Sequence, residues 1–339
     1  MLRYISAGES HGDRLCGILE GFPAGVPVSR AGIAAQLRRR RLAPGRGPRQ
    51  ARETDEFDIL SGMSGGRTTG APIAVLIRNS SRTPPPFSSL PRPGHADLAG
   101  MIKYGTLNAS LIRERASARD TAMRVALGSF ALRLHELLGI RVASRVVSLG
   151  GLQVPTRKAV DAEILGARKA GDTLGGVFEI VFDNLPAGLG GFSQWDRRLG
   201  SRLAAALLGI NGVKGFEIGG GFRLASMGGR EASGDPELSG GLDGGMSNGR
   251  RLVLRCAVKP VPGLPGGALS MDMRSLRRRL SVSKTSDTTA VFAAAVVAEH
   301  AAALELAGAL LEKFGGDSLS EIRERIEAWR AKTEKLLRA

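Results

Sequence analysis

Twelve glycines fall among the 35 residues from 215 to 249, part of a total of 47 in a chain of 339. Glycine adopts backbone conformations closed to other residues, so such a chain makes many tight turns and close approaches of backbone to backbone or ligand. The stretch 215–249 carries too many to sustain regular elements and is expected to be mostly loop. Hydrophobic residues reach 42% and aromatics only 4%, so a sizeable core is available but must rest on Leu, Val, Ile and Ala.

Periodicity supplies the elements between the turns. An apolar strand opens the chain, followed by the turn GESHG and a second apolar run, CGILEGFPAG. Residues 29–41 read as a helix capped by Ser29, with Ile33 and Leu37 on one face. A Gly-rich turn then feeds a buried strand over 73–77, and five prolines make 81–95 a loop. Helices are predicted over 123–138 and 193–210, and strands over 140–149, 175–186 and 250–262. The segment 112–120, IRERASARD, reads as a basic loop running into the helix that follows. Thr288 to Phe314 is Ala-rich and helical. Ser318 and Glu321 then form a capping box opening a last helix at about 317–337. Strands and helices mix, so the class is α+β. No linker separates two units, and one domain over 1–339 is expected.

Forty-eight Lys and Arg against 32 Asp and Glu leave a net charge of +16. Such a surplus suits nucleic acid, an anionic membrane surface or small polyanions. Aromatic side chains do not interleave with the basic runs, which argues against nucleic acid. The longest continuous apolar stretch, 290–298, is too short to span a bilayer, and the N-terminus lacks the apolar run of a signal peptide. Two cysteines, Cys16 and Cys256, make no disulfide framework, so a reducing, cytoplasmic setting is expected.

Four histidines narrow the chemistry. His135 and His300 sit in apolar helical sequence and read as core or helix-surface residues. His11 and His95 lie in loops beside glycine, where an imidazole can face a cleft and move protons near neutral pH. Arg38 to Arg41 suit a solvated helix end, favoured by the helix dipole. Arg46 and Arg49, in a Gly/Pro loop, instead suit clamps for phosphate or carboxylate. Ser117 and the amides at the start of the following helix can cap that helix or hold an anion. No Walker A pattern, dinucleotide fingerprint or zinc-ligand spacing occurs. The residues alone point to an anionic substrate and two proton donors, without a reaction.

Taken in order, AGESHG, RRRRxxxGRGxR, SGxxxGRTTGAPI, PRPGHAD followed by KYG, ERASARDTAMRVA, GGMSNG, VKPVP and SDTTAVFAAAVV resemble the chorismate synthase family over nearly the whole chain. The resemblance implies a β-α-β sandwich, with helices packed between antiparallel sheets, assembled as a homotetramer. It also implies anti-1,4-elimination of phosphate from 5-enolpyruvylshikimate 3-phosphate to give chorismate, with reduced FMN required and NADPH only an indirect source of it. By position, His11 matches the histidine that protonates the departing phosphate and His95 the one that protonates the reduced flavin. Asp287 matches the aspartate that works with the flavin in removing the C6 proton. Arg40, Arg46 and Arg49 match anion-binding arginines, for substrate or NADPH. Arg115, Ala116 and Ser117, with Asn211, Gly212, Gly244, Lys259, Pro260, Val261, Pro262 and Gly263, match flavin contacts.

The chain departs from the family pattern in places. It is shorter at 79–91, 155–172 and 226–240. Thr285 stands where the family has an arginine two residues before the aspartate, and Asn108 and Ser110 stand in place of an Asp-x-Arg. Asp120 replaces a glutamate. Lys284 restores a charge near Thr285 but not a guanidinium fork. An alternative reading is therefore a divergent paralogue that binds flavin or an anionic metabolite without turnover; a basic nucleic-acid protein is a second.

Overall fold

The computed structural model describes residues 2–47, 53–153, 156–283 and 287–338. Two antiparallel sheets enclose a layer of helices. The first sheet has strand order β1-β2-β6-β3, from β1 (Arg3–Ala7), β2 (Arg14–Glu20), β3 (Phe57–Ile59) and β6 (Ile73–Arg78). A two-stranded ribbon, β4 (Met63–Ser64) with β5 (Arg67–Thr68), lies between β3 and β6 in the chain. The second sheet has order β10-β13-β9-β7-β8: β7 (Arg141–Leu149), β8 (Leu152–Gln153), β9 (Gly176–Asp183), β10 (Val213–Ile218) and β13 (Leu252–Val258). The alternation that makes strands buries Leu15, Leu19, Ile73, Val75 and Ile77 on one sheet and Phe178, Ile180, Phe182, Leu252 and Leu254 on the other.

Between the sheets run α1 (Arg30–Arg41), α4 (Thr121–Leu137), α6 (Leu199–Leu208) and α8 (Val291–Phe314). Helix α4 packs on the first sheet and on α8; α8 packs on β7 and β9, with α1 and α6 beside it. The expectation of helices between antiparallel sheets holds. By length and composition α8 could cross a membrane, since it resumes its apolar character after Glu299 and His300; 89% of its apolar window is buried here, the environment of a core helix. The remaining helices are α2 (Asp97–Tyr104), α3 (Ala109–Arg115), α5 (Arg157–Ala170), α7 (Gly229–Gly234) and α9 (Leu319–Arg338). Before α9, Ser318 Oγ accepts the N–H of Glu321, but the Glu321 carboxylate returns to the N–H of Asp317, one residue earlier than a capping box requires.

Several expectations need correction. The stretch 215–249 is not mostly loop. Most of its glycines fall in turns, and Gly215, Gly221, Gly229 and Gly234 lie within elements: β10, the hairpin β11 (Leu242–Asp243) with β12 (Met246–Ser247), and three short helical turns occupy the stretch. Gly219 and Gly240 show what those glycines do: a Cβ on Gly219 would lie 2.4 Å from Gly240 N, so the backbones touch directly. Ile112 to Arg115 belong to α3, not to a loop. Neither α5 nor the hairpin β14 (Ala268–Asp272) with β15 (Arg277–Ser281) was anticipated. The arginine end of α1 is not simply solvated. Arg39 pairs with buried Glu299, Arg40 is itself buried, and Arg41 donates to the carbonyl of Glu53.

Candidate active site

The loop between β1 and β2 carries His11. Asn79, at the end of β6, holds that loop at three points: its amide nitrogen donates to Glu9 O (3.0 Å) and Gly12 O (2.7 Å), and its N–H to Asp13 O (3.1 Å). Glu114 in the last turn of α3 takes His11 itself. One carboxylate oxygen lies 2.6 Å from His11 Nδ1 and the other accepts the His11 N–H at 2.6 Å. The His11 side chain keeps 19% of its surface exposed and that of Glu114 only 9%.

Beneath the loop lies a buried charge network. Arg119, 2% exposed at its side chain, donates to the side-chain oxygen of Asn79 (2.7 Å) and to Arg78 O (3.0 Å), and pairs with Asp55 and Glu53. Arg40, equally enclosed, donates to Thr121 Oγ1 (3.0 Å) and Ala118 O (3.3 Å), with Asp55 3.7 Å away. Burial first, and then the charge of Arg46, bring the Arg40 guanidinium down to about 9. Arg40 thus lies within the fold and not on an open cleft. Arg46 forms the next contact outward. Its guanidinium donates to Asp287 at 2.5 Å, while the N–H of Gly47 takes the other Asp287 oxygen at 2.6 Å. Gly45, at φ +80, seats this loop against Thr288 and Thr289, accepting the Thr288 N–H at 2.8 Å. Arg168 of α5 donates to Thr288 Oγ1 (2.9 Å) and to Arg46 O (3.4 Å). Arg49, Lys284 and Thr285 lie outside the described residues.

His95 lines a cleft of about 400 Å³ with Gly94, Asn211, Gly212, Lys214 and Lys259. Lys259 donates from its ammonium to Gly94 O and from its backbone to Gly212 O, fixing the two sides of the cleft to each other. Pro262 packs under Gly94 at the distance a Cβ would need, and Val261 O accepts from Thr173. Burial, and then the charge of Arg92, hold the His95 imidazole down to about 4, so it is neutral at pH 7. Its Nδ1 is buried without a hydrogen-bond partner among the described residues. Asn211 donates to Ala116 O (3.2 Å), joining the cleft to residues 115–117. Arg115 is exposed and stacks over Tyr104, and Ser117 Oγ accepts the Arg119 N–H, so the capping role is the one it fills. Gly244 is exposed in the β11–β12 turn, whose contacts run to α6 and Gly190.

One segment ties these parts together. Glu114 reaches His11, Ala116 receives Asn211, Ala118 and Thr121 receive Arg40, and Arg119 holds Asn79 and Asp55. Sequence reasoning overlooked Glu114, Arg119, Asn79 and Asp55. The available signal was Asn108, which caps α3 by accepting the Ser110 N–H and so makes Glu114 a helical residue. Asn108 also accepts from Ser88, and Ser110 donates to Pro86 O, so both departures from the family pattern fasten α3 to the 86–88 loop. Two larger cavities, about 570 Å³ beside Arg133 and about 630 Å³ beside Phe292, contain none of these candidate residues.

Comparison with known proteins identifies the family and the fold. The family model described as "Chorismate synthase" matches residues 2–311. The chain is similar to the chorismate synthase of Saccharopolyspora erythraea, 43% identical over 389 residues, spanning 98% of this chain and 97% of that one. It is similar also to the chorismate synthase of Moorella thermoacetica, 44% identical over 377 residues, spanning 97% and 98%. A solved structure titled "Crystal Structure of Chorismate Synthase" superposes with a TM-score of 0.80 at 34% identity, covering 98% of each chain.

Proposed function

The chain belongs to the chorismate synthase family, and from that premise we propose how its own residues carry out the reaction. It is a carbon–oxygen lyase of aromatic biosynthesis that turns 5-enolpyruvylshikimate 3-phosphate into chorismate and phosphate. The bond from carbon to the phosphate oxygen breaks, the C6 proton leaves from the opposite face, and a new double bond results. The observation that carries the assignment of roles is the segment 114–121, which ties the His11 loop, Arg40 and the His95 cleft to one short stretch of chain.

His11 donates a proton to the departing phosphate. Arg46, with Arg40 behind it and Arg49 three residues further along the sequence, supplies positive charge for the substrate's anionic groups. Asp287 receives the C6 proton and is oriented for that by Arg46 and the N–H of Gly47. The His95 cleft fits an anionic reduced flavin: it has ligand-site volume, two lysines at its rim, and a buried imidazole nitrogen with no hydrogen-bond partner among the described residues. Reduced FMN, when bound there, supplies the electron-rich ring the elimination depends on, with no net oxidation or reduction. Arg115 to Ser117, Asn211, Gly212, Gly244 and Lys259 to Gly263 would hold it. His95 is neutral without a ligand, and a negative charge beside its ring raises its hold on a proton.

The protein acts on a small anionic molecule, not on nucleic acid or a membrane. NADPH enters only as a source of reduced flavin. Four copies form the working assembly, a reading supported by the outer face of the first sheet, where Ile5 is 68% and Ile18 44% exposed. The two free cysteines suit the cytoplasm.

Anaerobic turnover with dithionite-reduced FMN tests the roles. Chorismate and phosphate should appear in equal amounts, and His11→Ala should lower kcat by about 10²–10⁴. Binding of substrate and reduced flavin without product would favour the non-catalytic paralogue and direct attention to Thr285, Asn108 and Ser110.

A further inference from the structure

Glu114 grips His11 more specifically than burial requires. Both carboxylate oxygens go to one residue: Oε1 to the ring at Nδ1 and Oε2 to the main-chain N–H, each at 2.6 Å. Ring and backbone are therefore held by a single planar group, and the imidazole cannot turn without losing a short bond. The grip continues along the main chain, where the Ser10 N–H donates to Glu114 O at 3.2 Å. Asn79 fixes the other side of the loop but is neutral. Of the two acidic residues in the loop, Asp13 is engaged by Arg14 and Arg82, and Glu9 makes no bond to the ring among the described residues. Glu114 is thus the one ionisable group bonded to the His11 ring among the described residues.

An ionised carboxylate only accepts, so the proton it meets at Nδ1 stays on Nδ1. The other nitrogen, Nε2, makes no hydrogen bond among the described residues, and the side chain is partly open. Resting on the reading of His11 as the acid of the elimination, we propose that Glu114 is a positioning residue for that step, setting the ring's tautomer and aiming Nε2 at the departing phosphate. The imidazolium gives its Nε2 proton to a phosphate oxygen as the carbon–oxygen bond breaks and the electron pair leaves with phosphate. The ring is left neutral with its other proton on Nδ1. Glu114 keeps both of its bonds to His11 throughout.

Steady-state kinetics and histidine NMR test this together. Glu114→Gln keeps the size and an acceptor oxygen but removes the charge. At pH 7 kcat should fall about 10- to 100-fold with KM little changed. Glu136→Gln, which removes an exposed glutamate paired with Arg133, should leave kcat and KM as they are. In the unaltered protein with ¹⁵N-labelled histidine, His11, assigned by His11→Gln, should show the Nδ1–H form when neutral. A neutral ring carrying its proton on Nε2 overturns the proposal without any variant of Glu114. So does a Gln variant with unaltered kcat. Failure of the unaltered protein to make chorismate overturns the role of His11, while the NMR result still decides whether Glu114 sets the tautomer.

Discussion

Two pairs of histidines separate the helical core from the rim of the candidate site. In the core, His135 of α4 and His300 of α8 are fully buried, and each has one helix carbonyl as partner, Ala303 O at 2.9 Å and Val296 O at 2.7 Å. Their second ring nitrogens have no partner among the described residues and lie in an apolar layer. At the rim, His11 is gripped by a carboxylate, and His95 faces a cleft beside Lys259. Burial brings His95 and His135 alike down to about 4, yet the first lines a cleft and the second packs edge-on against Phe182. What divides the two regions is what each ring lines, a cleft or an apolar layer, and not how far a proton equilibrium is displaced.

Acid should test the burial of the core pair, with the largest effect. His135 and His300 stay neutral in the folded chain down to about pH 4 because burial opposes their charge. In the unfolded chain a histidine takes up a proton near pH 6.5. Between those values the unfolded state binds more protons, so stability falls as pH drops through the window, by up to about 3 kcal/mol for each histidine. Denaturant midpoints measured from pH 7 to pH 4.5 should decline, and the decline should shrink in His300→Gln. A midpoint that stays level would mean that the core pair opens to water before the chain unfolds.

The core was legible because periodicity reports burial directly. Met123 to Leu138 and Thr288 to Phe314 show their apolar spacing, and the helices found, α4 and α8, match to within a few residues. The rim was legible only at residues whose chemistry is unusual for their setting, such as a histidine or an arginine among glycines. Glu114 and Arg119 went unread because their roles depend on partners 103 and 64 positions away, His11 and Asp55. Local pattern carries no trace of such pairings. The glycine-rich 215–249 misled for a related reason: glycine density marks turns well, and β10 needs only the six residues between two of them.

Arg119 is where the comparison is easiest to break, since it is as buried as the core and yet bonded to the rim through Asn79. Arg119→Met would leave Asp55 without its close partner and remove the donor to the Asn79 side chain. Breaking a buried pair of this kind costs about 3–5 kcal/mol. The expected outcome is a matching loss in chemical denaturation together with a fall in kcat per folded molecule, because Asn79 orients the His11 loop. A loss of stability with kcat intact would show the rim to be held by Glu114 alone.

Gly128→Ala addresses the core without touching the rim. Gly128 lies in α4 where that helix meets α8, and a Cβ there would stand 2.4 Å from His300 Cβ, 2.8 Å from its carbonyl oxygen and 2.9 Å from its Cα. Two of those atoms are backbone, so no side-chain rotation relieves the contact, and the two helices must separate. Alanine's better helix propensity returns about 1 kcal/mol, against about 1–3 kcal/mol for overpacking. The clash prevails because the neighbouring helix is itself enclosed between the sheets. A net loss of about 1–2 kcal/mol is expected in the denaturant midpoint, with kcat per folded molecule unchanged. Should kcat fall as well, the spacing of α4 and α8 would set the geometry of the segment 114–121, which leads into α4, and core and rim would have to be treated as one mechanical unit.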